Sequence, residues 1–324
     1  MITTEIRLDH ESAIAHAVSV TRQAARELDL TPLLTERAAV TASELSSNIV
    51  KHTHGGVLLV QPEPVGGLEL LALDRGPGMD DVARCLADGY SSAGTLGSGL
   101  GAVRRLATTF GIFSHPRRGT AIFARFGAAP SAARTGTLRL PAAGEDHSGD
   151  AYTLVETADA TLVLVVDGLG RGAEAARVSR SATEAFLLDP GRPLPQAMEA
   201  IHAALRNTRG AAATAVRLPR DAAEVEFCGV GNVNAVVLDG DGPPVLMTPQ
   251  PGTLGLRIPP FRRQTAPLPA GATVVVHSDG IAPGWSRAAG GWMFTQAPPL
   301  LVGLLARDHR RYRDDATIVA LREW

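Results

Sequence analysis

The chain has 324 residues, room for two ordinary domains with full cores, and its 45% hydrophobic and 20% charged content is that of a folded globular protein. A formal net charge of -2 provides no field that would draw the chain to nucleic acid or to an acidic membrane. No apolar run approaches the ~18 residues of a membrane span. Lys51 is the sole lysine, which with abundant Ala and Gly points to a GC-rich genome rather than to an arginine-specific task. Cys85 and Cys228 belong to no CxxC pair, so neither a disulfide framework nor a zinc site is expected. Met1-Ile2-Thr3-Thr4-Glu5 lacks a basic n-region and an apolar h-region, so the expected setting is the cytoplasm.

In chain order, Asp9 is expected to cap a helix whose apolar face holds Ile14, Ala17, Val18, Ala25 and Leu28. Thr31-Pro32, a capping hydroxyl followed by proline at the first helical position, opens a second helix running towards Lys51, with Val40, Leu45 and Ile49 apolar. His54-Gly55-Gly56 ends it. Residues 57–60 and 68–73 read as strands joined through a Pro/Gly turn. A glycine-rich loop covers 89–101, a helix 102–107, and strands follow near Ile112-Phe113 and at 121–126. The aperiodic stretch 127–133 reads as linker, giving a domain at 1–127, a linker at 128–136 and a domain at 137–324. In the second domain, strand patterns fall at 137–140, 152–156, 161–166, 213–218, 225–228, 235–238 and 273–276, and helical ones at 173–187, 195–206 and 298–307. Strands and helices in separate blocks indicate an α+β layered architecture.

Four aspartates mark the ends of strand patterns in this half: Asp150, Asp167 after Leu162–Val166, Asp279 after Val274–Ser278, and Asp314 before Ala316–Val319. A β-branched run buried on both faces leaves its last side chain at the sheet edge, where several such acids can meet. Hard oxygen ligands suit Mg²⁺ or Mn²⁺, and a pair of such ions suits phosphoryl hydrolysis.

In the first half three segments point to a nucleotide. Glu44 and Asn48 share a helical face at i and i+4. Asp74-Arg75-Gly76-Pro77-Gly78 is a strand end with a glycine turn, and Gly97-Ser98-Gly99-Leu100-Gly101 precedes a helix, a backbone arrangement suited to phosphates. In this order the segments resemble the boxes of the GHKL ATP-binding family. With Gly89-Tyr90-Ser91-Ser92 and no preceding phosphoacceptor helix, they are most similar to its anti-sigma serine/threonine switch kinases of the RsbT type. The resemblance covers roughly residues 5–126. It implies an α/β sandwich binding ATP with Mg²⁺. Asn48 would ligate the ion, and Glu44 would be the catalytic base. Asp74, supported by Thr120, would read adenine; Gly76 and Gly78 would shape the turn, and Gly97, Gly99 and Gly101 would wrap the phosphates. Arg75 stands where many members have Asn. His52 and His54 read as solvated helix-end residues.

The aspartates resemble the PPM family of metal-dependent serine/threonine phosphatases, in its SpoIIE-like branch and with the DGLG form of RsbX-like members. Asp167–Gly172, Gly229–Asn232, Pro251–Leu256 and Asp314–Thr317 match in order over roughly 135–322. The resemblance implies an α-β-β-α sandwich and two Mn²⁺ or Mg²⁺ ions held by Asp150, Asp167, the Gly168 carbonyl, Asp279 and Asp314, with Asp315 second choice to Asp314. Asp167, bridging both ions, would be central to catalysis. Arg171 stands where the branch usually has histidine; a phosphate contact and a plain surface role remain open. His277 is read as a packed histidine beside the site, not a ligand.

Together the resemblances imply a bacterial partner-switching regulator with phosphatase and switch-kinase domains, acting on a STAS-domain phosphoprotein, with a homodimer left open. The alternative is a phosphatase controlled by a non-catalytic nucleotide-sensing or partner-binding GHKL domain.

Overall fold

The computed structural model describes residues 3–63, 66–87, 99–127, 133–220, 223–240, 242–258, 260–288 and 290–322. The chain divides into two compact units, Met1–Ala133 and Arg134–Trp324. Among the described residues no helix is long and apolar enough to cross a membrane.

The first unit runs β1 (Thr4–Arg7), α1 (Ser12–Glu27), α2 (Pro32–His52), β2 (Gly56–Pro62), β3 (Leu68–Asp74), α3 (Val82–Cys85), α4 (Leu100–Leu106), β4 (Thr109–His115) and β5 (Gly119–Phe126). Its sheet has the order β1-β2-β3-β5-β4, antiparallel throughout. Alternation sends Leu58, Val60, Leu68, Leu70, Ala72, Ile122 and Ala124 into a core with Ala17, Ala25, Ala38, Ala42, Leu45 and Ile49 of α1 and α2. Thr31 caps α2, its hydroxyl accepting from the Leu34 amide at 3.3 Å. Two expectations fail. Helix α1 starts at Ser12 with Glu11 at the cap and no side-chain cap bond, while Asp9 pairs with Arg7 at 3.3 Å. Val40 is 46% exposed, because the buried stripe of α2 runs through Ala38, Ala42, Leu45 and Ile49.

The second unit runs β6 (Thr135–Leu140), β7 (Asp150–Glu156), β8 (Ala160–Gly168), α5 (Gly172–Leu187), α6 (Leu194–Ala204), β9 (Ala211–Pro219), β10 (Glu224–Val230), β11 (Asn234–Leu238), β12 (Val245–Met247), β13 (Gln264–Pro267), β14 (Thr273–His277), α7 (Trp285–Ala288), α8 (Gly291–Phe294), α9 (Pro298–His309) and β15 (Ala316–Arg322). Two antiparallel sheets result, ordered β13-β10-β9-β8-β7 and β12-β11-β14-β15-β6. Thr135 and Gly136, expected in the linker, belong to β6, where they pair with Leu321 and Ala320.

The alternation of β8 decides the layering. Leu162, Leu164 and Val166 join Val178, Ala182 and Phe186 of α5 and Met198 and Ile201 of α6. Val163 and Val165 point the other way, into a core shared with Val237, Val274, Val276 and Val319 of the second sheet. Helix α9 lies against β6 and β15. The unit is therefore layered helix, sheet, sheet, helix. Each Val or Leu buried this way contributes about 1.5–3 kcal/mol, and a strand buried on both faces can be apolar throughout, as β8 is.

Candidate functional site

The acids of the second unit gather where strands of both sheets end. In the first sheet Asp150 opens β7 and stands directly opposite Asp167 near the end of β8. In the second, β14 stops at His277 and β15 starts at Ala316, so Asp279 and Asp314 lie just beyond paired strand ends. The strand patterns thus place Asp279 and Asp314 in the adjoining turns, not on the strands.

Helix α5 closes tightly over the first pair of ends. A Cβ on Gly168 would lie 2.5 Å from the Ala175 carbonyl, and one on Gly149 would lie 2.8 Å from the Ala175 side chain. Only glycine fits at either position. The Ser179 hydroxyl of α5 donates to the Gly149 carbonyl. Asp315 anchors the same loop from the other sheet: its two oxygens accept from the Ala142 amide at 2.7 Å and the Gly149 amide at 2.8 Å. Both Asp315 oxygens thereby accept from backbone; Asp314 is half-buried, and its charge acts on Asp167, with that of Asp315 a smaller contribution.

Asp150 is buried, and its Oδ2 accepts from the Ser278 hydroxyl at 2.6 Å. The Ser278 oxygen in turn accepts from the Thr317 amide at 2.9 Å. Burial first, and the neighbouring Asp167 second, hold the Asp150 carboxyl well above the ordinary carboxylate range. Asp167 is pushed up to about 7 by burial and by the charges of Asp279 and Asp314. Asn232 opposes the shift by donating its amide to Asp279 Oδ2 at 2.7 Å and Asp167 Oδ2 at 3.4 Å.

These carboxylates are neighbours without forming a closed cage. Among the described residues, no group of three or more His, Cys, Asp or Glu side chains is gathered as a ready-made metal site. Like charges keep apart, and Asn232 stands between two of them. The donor set nevertheless fits a hard divalent cation. Asp167 is surrounded by carboxylates whose repulsion a cation would relieve, and oxygen donors are what Mg²⁺ and Mn²⁺ take.

His277 is buried; its Nε2 faces the Trp285 indole nitrogen at 3.0 Å and its Nδ1 the Ser278 carbonyl at 2.8 Å. Indole N–H can only donate, so Nε2 accepts and Nδ1 carries the proton. Burial lowers its pKa, and the ring is a neutral packing group. Arg171 is exposed at the N-cap of α5. Sequence reasoning placed Asn232 in the matched Gly229–Asn232 segment without giving it a role, and missed Ser278 and the anchoring role of Asp315. The Ser-Asp step at 278–279 was the available sign for Ser278.

The shifts give a pH prediction. A carboxyl raised in the folded state stabilises the fold at low pH, and that stability is lost as pH rises towards and through the folded pKa. His277, lowered, acts oppositely, but its contribution is complete above its unfolded value of 6.5. Between about pH 6.5 and 8 the neighbouring Asp150 and Asp167 carboxyls, both raised, therefore dominate. In chelator the melting temperature should fall across this window by about 2–4 °C, from roughly 1 kcal/mol of linkage. Mn²⁺ should reverse the fall and Asp167→Asn should reduce it, as differential scanning calorimetry would show.

In the first unit, the turn after β3 is tied to the β4–β5 hairpin. Asp74 is buried, and its Oδ1 accepts from the Gly76 amide at 2.7 Å and the Thr120 amide at 3.2 Å. Ser114 joins the same knot, its hydroxyl 2.9 Å from that of Thr120 and accepting from the Met79 amide at 2.9 Å. Gly78 has φ +74°, and a Cβ there would lie 2.1 Å from the His115 carbonyl. Glu44 and Asn48 are half-buried, one turn apart on α2. Gly99 is the N-cap of α4 and Gly101 lies within its first turn, so the helix starts earlier than expected. Gly97 and the segment Gly89–Ser92 lie outside the described residues.

Residues 157–323 match the model of the family described as Stage II sporulation protein E (SpoIIE). The chain belongs to that family. The N-terminal part is similar to the serine/threonine-protein kinase RsbT of Bacillus subtilis (strain 168), 33% identical over 36% of this chain and 90% of the relative. A second relative is the phosphoserine phosphatase RsbX of the same organism, 24% identical over 46% of this chain and 74% of the relative. A crystal structure of RsbX in complex with magnesium superposes with a TM-score of 0.51 at 21% identity, covering 58% of this chain and 94% of that one, which shows a common fold. The SpoIIE-family chain thus has PPM-type serine/threonine phosphatase relatives and, at its N-terminal part, a kinase relative.

Proposed function

We propose that the second unit is a metal-dependent phosphatase acting on phosphoserine or phosphothreonine in a protein. The observation that carries this reading is Asp167, with Asp150 beside it in one sheet and Asp279 and Asp314 reaching it from the other. Asp150, Asp167, Asp279, Asp314 and the Gly168 carbonyl would hold two Mg²⁺ or Mn²⁺ ions. Bound there, the ions supply charge for the phosphoryl group and a hydrolytic water at neutral pH. Ser278 fixes the Asp150 carboxylate, and Asp315 fixes the loop that carries it. The chain should hydrolyse an aryl phosphate with Mn²⁺ and stop on addition of chelator. Full activity in chelator would end this reading.

The first unit is read as an ATP-dependent serine/threonine switch kinase. Asp74 and Thr120, held at one knot, would face adenine, and Gly76 and Gly78 let the turn close on the hairpin. Asn48 would meet the Mg²⁺ of the nucleotide, and Gly97, Gly99 and Gly101 its phosphates. Glu44 would take the proton of the acceptor hydroxyl. In the full chain Asp74→Ala should weaken Mg-ATP binding by at least about 10–100-fold, the cost of a hydrogen bond to a charged group. Isothermal calorimetry measures it, and an unchanged affinity would remove Asp74 from the site. The partner proposed for both units is a STAS-domain phosphoprotein of the anti-sigma antagonist kind.

A further inference from the structure

Asn232 occupies the short connection between β10 and β11, where the chain passes from one sheet to the other. Its backbone is fixed on every side. Gly231, at φ +92°, donates its amide to the Gln250 carbonyl at 2.9 Å. The Asn232 carbonyl accepts from the Asn234 side-chain amide at 2.9 Å, and the next carbonyl, of Val233, accepts from the Thr214 hydroxyl at 2.6 Å. From this fixed point the side chain reaches a carboxylate of each sheet, Asp279 at 2.7 Å and Asp167 at 3.4 Å.

We infer that Asn232 is a positioning residue that sets the spacing of Asp167 and Asp279, and with it the affinity of the carboxylate cluster for a divalent cation. The inference rests on the phosphatase reading of this site. Two carboxylates drawn from different sheets repel, and nothing in either strand ladder fixes the distance between them. A neutral amide with two N–H donors ties one to the other without adding a positive charge that would compete with a cation. Each carboxylate has about four lone-pair directions, so an oxygen that accepts from Asn232 retains others for a metal. A lysine or arginine at this position would offset the repulsion more strongly and exclude the cation. Partners of this kind, which orient ligands without binding the ion, typically alter metal affinity by roughly 10–100-fold.

The test is a calorimetric titration of Mn²⁺ into the chelator-stripped full chain, wild type against Asn232→Ala and Asn232→Leu, with aryl phosphate hydrolysis followed as a function of Mn²⁺. Asn232 is exposed, so both variants should fold, and a melting curve in chelator checks that they do. The expected result is roughly 10–100-fold weaker Mn²⁺ binding and a parallel rightward shift of the activation curve, with kcat recovering to within a few fold at saturating Mn²⁺. Unchanged Mn²⁺ affinity with a large kcat loss at saturation would make Asn232 a contact to substrate and overturn the inference. Unchanged affinity and unchanged kcat would overturn it as well. No binding of Mn²⁺ by the wild type would instead remove the phosphatase reading itself, with this inference on it.

Discussion

Asp167→Asn should lower Mn²⁺-dependent hydrolysis of an aryl phosphate or a phosphoserine protein by roughly a thousandfold, equivalent to about 4 kcal/mol of lost transition-state stabilisation. The substitution keeps the shape of the side chain and removes one charge. It acts where carboxylates of both sheets converge, so it weakens the hold on both proposed ions at once. The same charge is a burden on the metal-free fold: burial and the charges of Asp279 and Asp314 push its carboxyl up to about 7. At pH 8 in chelator the variant should therefore melt higher than the wild type while being nearly inactive with Mn²⁺. This opposition separates a lost ligand from a damaged fold, which would lower both readings. A variant retaining more than about a tenth of wild-type kcat would show that Asp167 is not central to the reaction. Asp315→Asn gives a useful contrast. Its oxygens hold the Ala142 and Gly149 amides, so the first effect expected there is on stability.

What could be read in the sequence depended on how much of the structure local chemistry determines. The β8 run Leu162–Val166 reads as a strand because its residues are buried on both sides, and the Thr31-Pro32 pair reads as a helix start because cap and proline act within one turn. β1, β12 and β13 were not expected. They are three or four residues long, with exposed positions and little alternation, and they exist because a neighbouring strand pairs with them. The short helices α3, α7 and α8 carry too few residues for a periodic face. At the site, the acids stood out because unpaired carboxylates at the ends of apolar runs are costly without a purpose. Which acid does what could not be read in the same way. Asp314 and Asp315 are adjacent in sequence, and local chemistry does not separate them; the family resemblance ranked Asp315 second, and the fold puts both Asp315 oxygens on backbone amides. The role of Asn232, though it lies in the matched Gly229–Asn232 segment, was hidden because its two partners lie 65 and 47 residues away in sequence.

Glu44→Gln should leave Mg-ATP binding intact and lower phosphoryl transfer to a STAS-domain partner by roughly 10²–10⁴-fold, the contribution of a positioned general base. Glu44 and Asn48 sit one turn apart on α2, whose buried stripe of Ala38, Ala42, Leu45 and Ile49 fixes the rotation of the helix. A carboxylate there has its position set by the core rather than by a mobile loop, as proton transfer requires. Glutamine preserves size and hydrogen-bonding reach and removes only basicity, so a loss confined to transfer isolates the chemical role. The assay belongs in an Asp167→Asn background, where the chain's own phosphatase cannot erase the product. Radiolabel from γ-labelled ATP on the partner is the readout, with calorimetry for ATP on the same preparation. If the background chain binds ATP and labels no STAS partner from its own genome, the kinase reading is lost. The rival reading then takes over, in which the first unit senses nucleotide, and ATP must change the turnover of the wild-type phosphatase. Both outcomes turn on one residue whose place on the helix was legible from the Thr31-Pro32 start, and whose face was legible from its i, i+4 spacing to Asn48.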